Sequence, residues 1–461
     1  MHIKLPVTNN DTFAGMKHYL LLGSLFLFTI CRSQDSIPQK EKWFTLHAQE
    51  TTVSQFRPSF HAKYTGDHSQ TTDQQWATTL TSTIFAGVKL WPHAQVVFNP
   101  EISGGSGLSS AFGIAAFTNG EAFRVGSPEP KVYVARAFFQ QLFPLTKKRV
   151  WQEDSENKIQ KYIPEKYISF TAGKVSIADF FDDNTFSHNP RTQFLSWGLM
   201  SNGAWDYPAN TRGYTPSAIL ELFTKKWEIR YAISMVPNTA NGNVMDKNID
   251  KANANTLEVK YKYQVSGQKG KISAIAFYNS AFMGSYTAPN IESHPDSANP
   301  NFIINNYAIS ASRQYGRSKY GFGINLEQNI TDNIGVFARA SYNDGKNETW
   351  CFTEIDRAIS VGTSIKGALW KRENDVFGVA YCLSGLSNEH ADYLAKGGLG
   401  FIIGDGALNY KPENLWETYY SLSLMNGRII PSFTYQFILN PAYNADRGPI
   451  NVFSLRLHLS I

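Results

Sequence analysis

Cysteine is nearly missing from this 461-residue chain: there are three, and Cys31 falls in a leader-like N-terminus, leaving Cys351 and Cys382. Two thiols make no disulfide framework, which excludes the small stapled scaffolds of secreted proteins. Long apolar runs are missing as well. Beyond the N-terminus no stretch approaches the roughly eighteen consecutive apolar residues that a transmembrane helix needs. Charge of one sign is scarce, with 43 Lys+Arg against 38 Asp+Glu and a net charge of +5. That balance gives no basic footprint for nucleic acid. The mean hydropathy of −0.30 would by itself describe a soluble protein.

What the chain does have is alternation. The last ten residues place Phe453, Leu455, Leu457, Leu459 and Ile461 on one face of a strand and Ser454, Arg456, His458 and Ser460 on the other. The pattern recurs along most of the chain, at about the ten-residue length a tilted strand needs to cross a bilayer. A membrane barrel has the mean hydropathy of a soluble protein because each lipid-facing residue is followed by a lumen-facing polar one. Aromatics at 14% suit interfacial girdles and sugar-stacking surfaces.

The N-terminus reads as an export signal. Met16-Lys17-His18 opens a basic stretch, Tyr19 to Ile30 is apolar, and Cys31-Arg32-Ser33 is a small-x-small cleavage site before Gln34. Residues 1–33 are therefore expected to leave, with Met16 the candidate start and the first fifteen residues an upstream extension. Thr29 and Ile30 stand where a lipoprotein signal wants small residues, which argues against lipidation of Cys31. Residues 34–54 then read as a short periplasmic segment and 55–461 as the barrel.

Sixteen strands are expected near 55–65, 77–90, 94–102, 131–142, 166–175, 215–223, 227–236, 256–265, 271–279, 318–328, 333–342, 357–369, 375–384, 416–425, 430–438 and 451–461. The clearest alternate Trp227-Ile229-Tyr231-Ile233-Met235 with Glu228-Arg230-Ala232-Ser234, and Leu257-Val259-Tyr261-Tyr263 with Glu258-Lys260-Lys262. The competing architecture is a two-sheet sandwich. Connection lengths separate the two. Short turns such as 91–93, 224–226, 266–270, 329–332, 371–374 and 426–428 alternate with long connections such as 103–130, 176–214, 280–317 and 385–415. Periplasmic turns and external loops of a membrane barrel alternate in this way. The connection 143–165 breaks the rule, since parity puts it on the periplasmic side although it is long and highly charged. Sixteen strands also require Ile303 to Arg313 to lie inside a loop; counting it and 193–200 as strands gives the alternative of eighteen. A basic residue facing lipid costs roughly 2–4 kcal/mol near the midplane. Arg230, Lys260, Lys262, Arg339 and Arg456 are therefore expected to point inward and line the pore.

Four stretches, in order along the chain, carry a family likeness. The first is Gly173-Lys174-Val175-Ser176-Ile177-Ala178-Asp179-Phe180-Phe181-Asp182-Asp183-Asn184 with Pro190-Arg191-Thr192-Gln193-Phe194. The second is Asn202-Gly203-Ala204-Trp205-Asp206-Tyr207-Pro208 running into Arg212-Gly213-Tyr214. The third joins Ser387-Asn388-Glu389-His390-Ala391-Asp392-Tyr393 to the glycines between 397 and 406. The fourth is Asn440-Pro441-Ala442-Tyr443-Asn444, Asp446-Arg447-Gly448-Pro449 and the closing strand. Together they resemble the carbohydrate-selective porin family of the OprB type, over nearly all of the mature chain. The resemblance implies an all-β, sixteen-stranded antiparallel up-and-down barrel in a Gram-negative outer membrane. A loop folded into its lumen would constrict it, and the barrel would pass sugars, as a monomer or a homotrimer. Two departures stand out: the chain ends on Ile461 where such barrels usually end on an aromatic, and 143–165 is unusually charged.

The 176–214 loop is the candidate constriction. It mixes Asp179, Asp182, Asp183, Asp206, Arg191, Arg212, Asn184, Trp197 and Trp205. Sugars need carboxylate, amide and guanidinium partners for vicinal hydroxyls and flat rings for their C–H faces. The bland reading makes 179–184 a structural turn and the aromatics mere pins; an internal loop can do both. The 397–406 glycines lack the Lys-Ser/Thr of a phosphate cradle. Glu389, His390 and Asp392 lack a second histidine for a metal site. No cofactor is implied.

Diffusion of mono- or oligosaccharides is the leading function, with a general diffusion porin or an exporter of anionic polysaccharide on the same barrel as the alternative. An exporter wants a strongly basic lumen, against which the loop carboxylates count. A fatty-acid channel wants a plug larger than residues 34–54. A surface lipase or protease wants a nucleophile motif beside His61, His68, His188, His294, His390 or His458, and none is present. The expectation is a channel, not an enzyme.

Overall fold

The computed structural model describes residues 40–122, 129–295 and 303–461. The expected signal segment lies outside them. Sixteen antiparallel strands close into a barrel: β1 (Phe44–Arg57), β2 (Gln75–Lys89), β3 (Ala94–Gly105), β4 (Lys131–Pro144), β7 (Tyr167–Val175), β8 (Thr215–Phe223), β9 (Trp227–Met235), β10 (Asn253–Val265), β11 (Gln268–Met283), β14 (Gln314–Asn329), β15 (Ile334–Asn343), β16 (Arg357–Lys366), β17 (Val376–Gly385), β18 (Glu413–Ser421), β19 (Ile429–Leu439) and β20 (Ile450–Ser460). Two small hairpins stand apart, β5 (Arg149–Gln152) with β6 (Lys161–Pro164), and β12 (Ile291–Pro295) with β13 (Ile303–Tyr307).

Closure joins the first strand to the last, in register from Gln49 opposite Ser460 to Phe56 opposite Phe453. Closing the sheet removes the edge that lipid could not satisfy. Ile461 completes the seam: its N–H donates to the Ala48 carbonyl at 3.0 Å and its carbonyl accepts from Ala48 at 3.2 Å. The terminal residue therefore keeps its place on the lipid face without an aromatic ring. Alternation is as expected on β20, where Phe453, Leu455 and Leu457 are exposed and Ser454, Arg456 and His458 are buried. The segment 303–307 pairs with 291–295 in an external hairpin, and 197–200 is a helical turn, so the eighteen-strand alternative is excluded.

The first strand is a correction. It runs over Phe44–Arg57 rather than 55–65, so much of the expected periplasmic segment is barrel wall. Its outward residues include Glu50, Thr52 and Ser54, whereas its inward face is the buried one. With polar residues on the outside, the usual apolar period is hidden.

Inside, loops fill part of the lumen. The external connections fold inward and pack as an apolar mass, in which Leu108, Ile114, Phe117, Trp197, Trp205, Tyr207, Trp350, Phe352 and Ile403 are all buried. Trp197 stacks on Tyr207 with centroids 5.1 Å apart, and Phe352 packs against both at 4.3 and 4.6 Å. Several loops, not the 176–214 loop alone, make this plug. Cys351 is free and buried in it, and Cys382 is free and buried on the inner face of β17.

A loop that enters a barrel brings backbone donors that the sheet cannot pair. Asp206 answers for one segment, accepting from the N–H groups of Trp350, Cys351 and Phe352 at 3.0, 2.9 and 2.9 Å. Truncation to alanine strands those donors, at roughly 1–3 kcal/mol for each buried group left unpaired. We expect Asp206→Ala to make 344–356 sensitive to external protease while the barrel keeps its heat-modifiable migration on gels. Equal protease resistance in the variant would show that the carboxylate does not hold the segment.

Candidate functional site

A cavity of about 760 Å³ lies between the plug and the wall built by β2–β4 and β7–β9. Its volume falls in the range of roughly 300–1,000 Å³ typical of small-molecule sites. Part of its lining is a set of paired charges. Glu101 on β3 accepts from the Thr83, Tyr133 and Tyr214 hydroxyls at 2.6, 2.5 and 2.9 Å. Arg191 donates through Nε to both Glu121 oxygens at 3.0 and 2.9 Å and lies 3.7 Å from Glu101. Arg136 on β4 holds Asp179 by a bidentate pair at 2.5 and 2.8 Å. The Arg212 guanidinium sits 4.0 Å over the Tyr133 ring, and Arg136 lies 5.3 Å from the Tyr214 ring. Such cation–π contacts fix the ring planes as well as the cations.

Three carboxylates thus face three guanidiniums on one wall. Burial works against the Arg191 cation, but Glu121 and Glu101 more than offset it, so its pKa lies above the ordinary arginine value. It stays charged at every accessible pH.

Of the residues the sequence nominated, Asp179, Asp183, Arg191, Trp197 and Arg212 reach the cavity wall. Asp182, Asn184, Trp205 and Asp206 do not; they are buried in the plug. Asp182 accepts from Asn202, Asn325 and Arg339, and Asn184 donates to Asn325. Among the nominated strand cations, Arg230 lines the cavity within a cluster of Glu221, Glu228 and Glu258. Lys260, Arg339 and Arg456 point inward as parity requires but meet loops instead of the passage. Arg339 donates to the Ser187 and Leu199 carbonyls, and Arg456 to those of Pro190 and Gln193. Lys262 pairs with Glu228 and is the exposed member of that pair. The physical reason is that a loop displaces the water that a lumen-facing cation would otherwise meet.

Glu101, Glu121, Tyr133 and Arg136 are not among the candidates the sequence offers, and Tyr214 enters there only as the end of the Arg212-Gly213-Tyr214 stretch. Arg136 is obscured by a bulge in β4, where Ala135 is skipped in the pairing with β3 and both Ala135 and Arg136 are buried. Glu101 follows from the period of β3, whose buried face runs Gln95, Val97, Asn99, Glu101 and Ser103, whereas Glu121 carries no periodic signal at all. His390 lies on a short helix (Asn388–Ala395) in the connection between β17 and β18, bonded to Asp356 at 2.9 Å and stacked on Tyr286. Among the described residues no group of three or more His, Cys, Asp or Glu is placed to hold a metal ion.

The family model for the carbohydrate-selective porins, OprB family, matches residues 67–461. The chain belongs to that family. Among solved structures it is similar to Pseudomonas putida OprB at high pH, with 14% identity, a TM-score of 0.67, and coverage of 91% of this chain and 94% of that one. The low-pH form of the same porin gives 10% identity and a TM-score of 0.49 over 98% and 97% of the two chains. The DcaP channel of Acinetobacter baumannii gives 10% and 0.48 over 91% and 97%. No curated protein matches. As an OprB-family barrel the protein is a porin of the Gram-negative outer membrane, of a class that serves carbohydrate-selective diffusion. Proteins of this family and fold are channels rather than enzymes.

Two outcomes follow for this porin. Arg191→Gln leaves Glu101 and Glu121 without their shared cation, so the reversal potential in a salt gradient should shift toward cation preference. An unchanged potential would remove Arg191 from the conducting path. Asp183 tests the pH response. Burial acts to raise its pKa, but Lys260 and Lys271, each 3.3 Å away, reverse the effect and hold it below the usual carboxylate range. A depressed folded-state pKa gives stability that is present above the unfolded value of about 3.9 and lost as pH falls through the folded one. Wild-type conductance noise should therefore stay flat on acidification to about pH 4, whereas Asp183→Asn should be noisy already at neutral pH.

Proposed function

We propose that this porin passes mono- or oligosaccharides by passive diffusion through a water-filled path narrowed by its inward loops, with sugar recognised at the Glu101–Arg191–Arg212 wall. The observation that carries this reading is the charge balance of that wall, where Glu101, Glu121 and Asp179 stand beside Arg136, Arg191 and Arg212. Alternating carboxylates and guanidiniums suit vicinal hydroxyls, which donate to one and accept from the other. The balanced field gives little advantage to an anion or a cation. Tyr133 and Tyr214 add flat apolar faces for the C–H side of a sugar ring. The same balance speaks against export of an anionic polymer.

A channel must bind its solute weakly enough to release it. Affinity near millimolar, about −4 kcal/mol, meets that demand. Liposomes carrying the protein should swell faster with glucose than with an uncharged non-sugar solute of equal size. Equal rates would make it a general diffusion porin. Tyr133→Leu removes one ring face, worth roughly 0.5–1.5 kcal/mol, so sugar block of single channels should weaken about two- to tenfold.

A further inference from the structure

The long periplasmic connection that breaks the alternation rule folds back into the barrel. β5 and β6 pair from Arg149 opposite Pro164 to Gln152 opposite Lys161. The tip is closed by reciprocal backbone bonds between Ser155 and Lys158 at 3.1 and 3.0 Å. Asn157 takes the left-handed conformation there, with φ at 61°, which asparagine tolerates better than most residues.

This tip is anchored to the inner wall at several depths. Asp154 accepts from Lys42 and Thr45 at 2.8 and 2.7 Å, at the very start of β1. Ile159 is fully buried beside Gly87, where a Cβ would stand 3.7 Å from its side chain. Asn157 reaches deeper, accepting from Gln95 through its carbonyl and from Asn99 through its side chain at 3.2 and 2.8 Å. Lys161 donates to Gln95 at 2.9 Å. With its amide turned to satisfy both neighbours, Gln49 donates to Glu156 at 3.1 Å and accepts from Arg191. The hairpin is thus linked through one side chain to the charged wall above it. Glu156, Asn157, Lys158 and Lys161 line the same cavity from below, and Glu156 and Lys158 are exposed to it.

A loose turn would not need buried anchors on β1 and β3. We propose that residues 149–164 form a second filter on the periplasmic side, in series with the loop-built wall, which solutes pass on leaving the barrel. It presents one carboxylate and one ammonium, Glu156 and Lys158, to the departing solute, so it suits the same neutral, hydroxyl-rich class. This rests on the diffusion reading above only for the identity of the solute; the filter itself is defined by ion flow.

Single-channel conductance of the full barrel in simple salt gives the test. Lys148 and Glu165 are already bonded through their backbones at 2.9 Å, so joining them removes 149–164 without straining β4 or β7. Taking away one of two comparable resistances in series should raise conductance up to about twofold. Unchanged conductance in a variant that keeps heat-modifiable migration would overturn the proposal. If the deletion does not fold, Glu156→Cys decides the matter. A charged methanethiosulfonate added from the periplasmic side should lower its conductance, while the wild type, with Cys351 and Cys382 buried, stays constant. No change in the modified variant would also overturn it. Salt conductance involves no sugar, so failure here leaves the sugar-selectivity test standing, and failure there leaves this one.

Discussion

The interior of this barrel depends on finding hydrogen-bond acceptors for backbone that is not in the sheet. Each buried, unpaired N–H costs about 1–3 kcal/mol, and the inward loops carry many. Carboxylates take them in groups. Glu413 accepts from Ala115, Ala116 and Ala442, Glu417 from Leu195 and Ser196, and Glu354 from Phe401, Ile402 and Ile403. Glu258 accepts from Asp182 and Glu327 from Thr185. The inward carboxylates of β10, β14 and β18 therefore act as sockets into which loop backbone is plugged.

That arrangement changes what an inward charge means. Part of the lumen is occupied by loops, and the charges beneath them are structural. The wall of β2–β4 and β7–β9 borders a cavity, and there the same residue types face a passage. Charge pairing does both tasks: Arg339 with Asp182 ties a loop down, whereas Arg191 with Glu121 borders the cavity. The difference between them is access to water, not chemistry.

The fold was largely legible. Strand count, lipid-facing parity and the alternation of short and long connections follow from local spacing, but parity allows sixteen strands or eighteen, and the choice rests on Ile303–Tyr307 pairing with Ile291–Pro295 outside the barrel. The first strand was misplaced because Glu50, Thr52 and Ser54 look outward from β1. The candidate site was legible only in part. Asp179, Arg191 and Arg212 lie on the cavity, but Trp205 and Asp206, equally suited to sugar by residue type, are buried in the plug. Glu121 has no neighbours in sequence that mark it, because its partner Arg191 arrives from another loop.

By itself the amino-acid order determined which side chains of each crossing face hydrocarbon, since a period of two is a property of neighbouring residues and the cost of a misplaced charge is paid locally. It also determined that the chain closes with an even number of strands. Only the tertiary structure decided which inward groups meet water. That depends on where several distant loops and one periplasmic hairpin come to rest, and their resting places are set by long-range pairs such as Asn99 with Asn157 and Glu417 with Leu195.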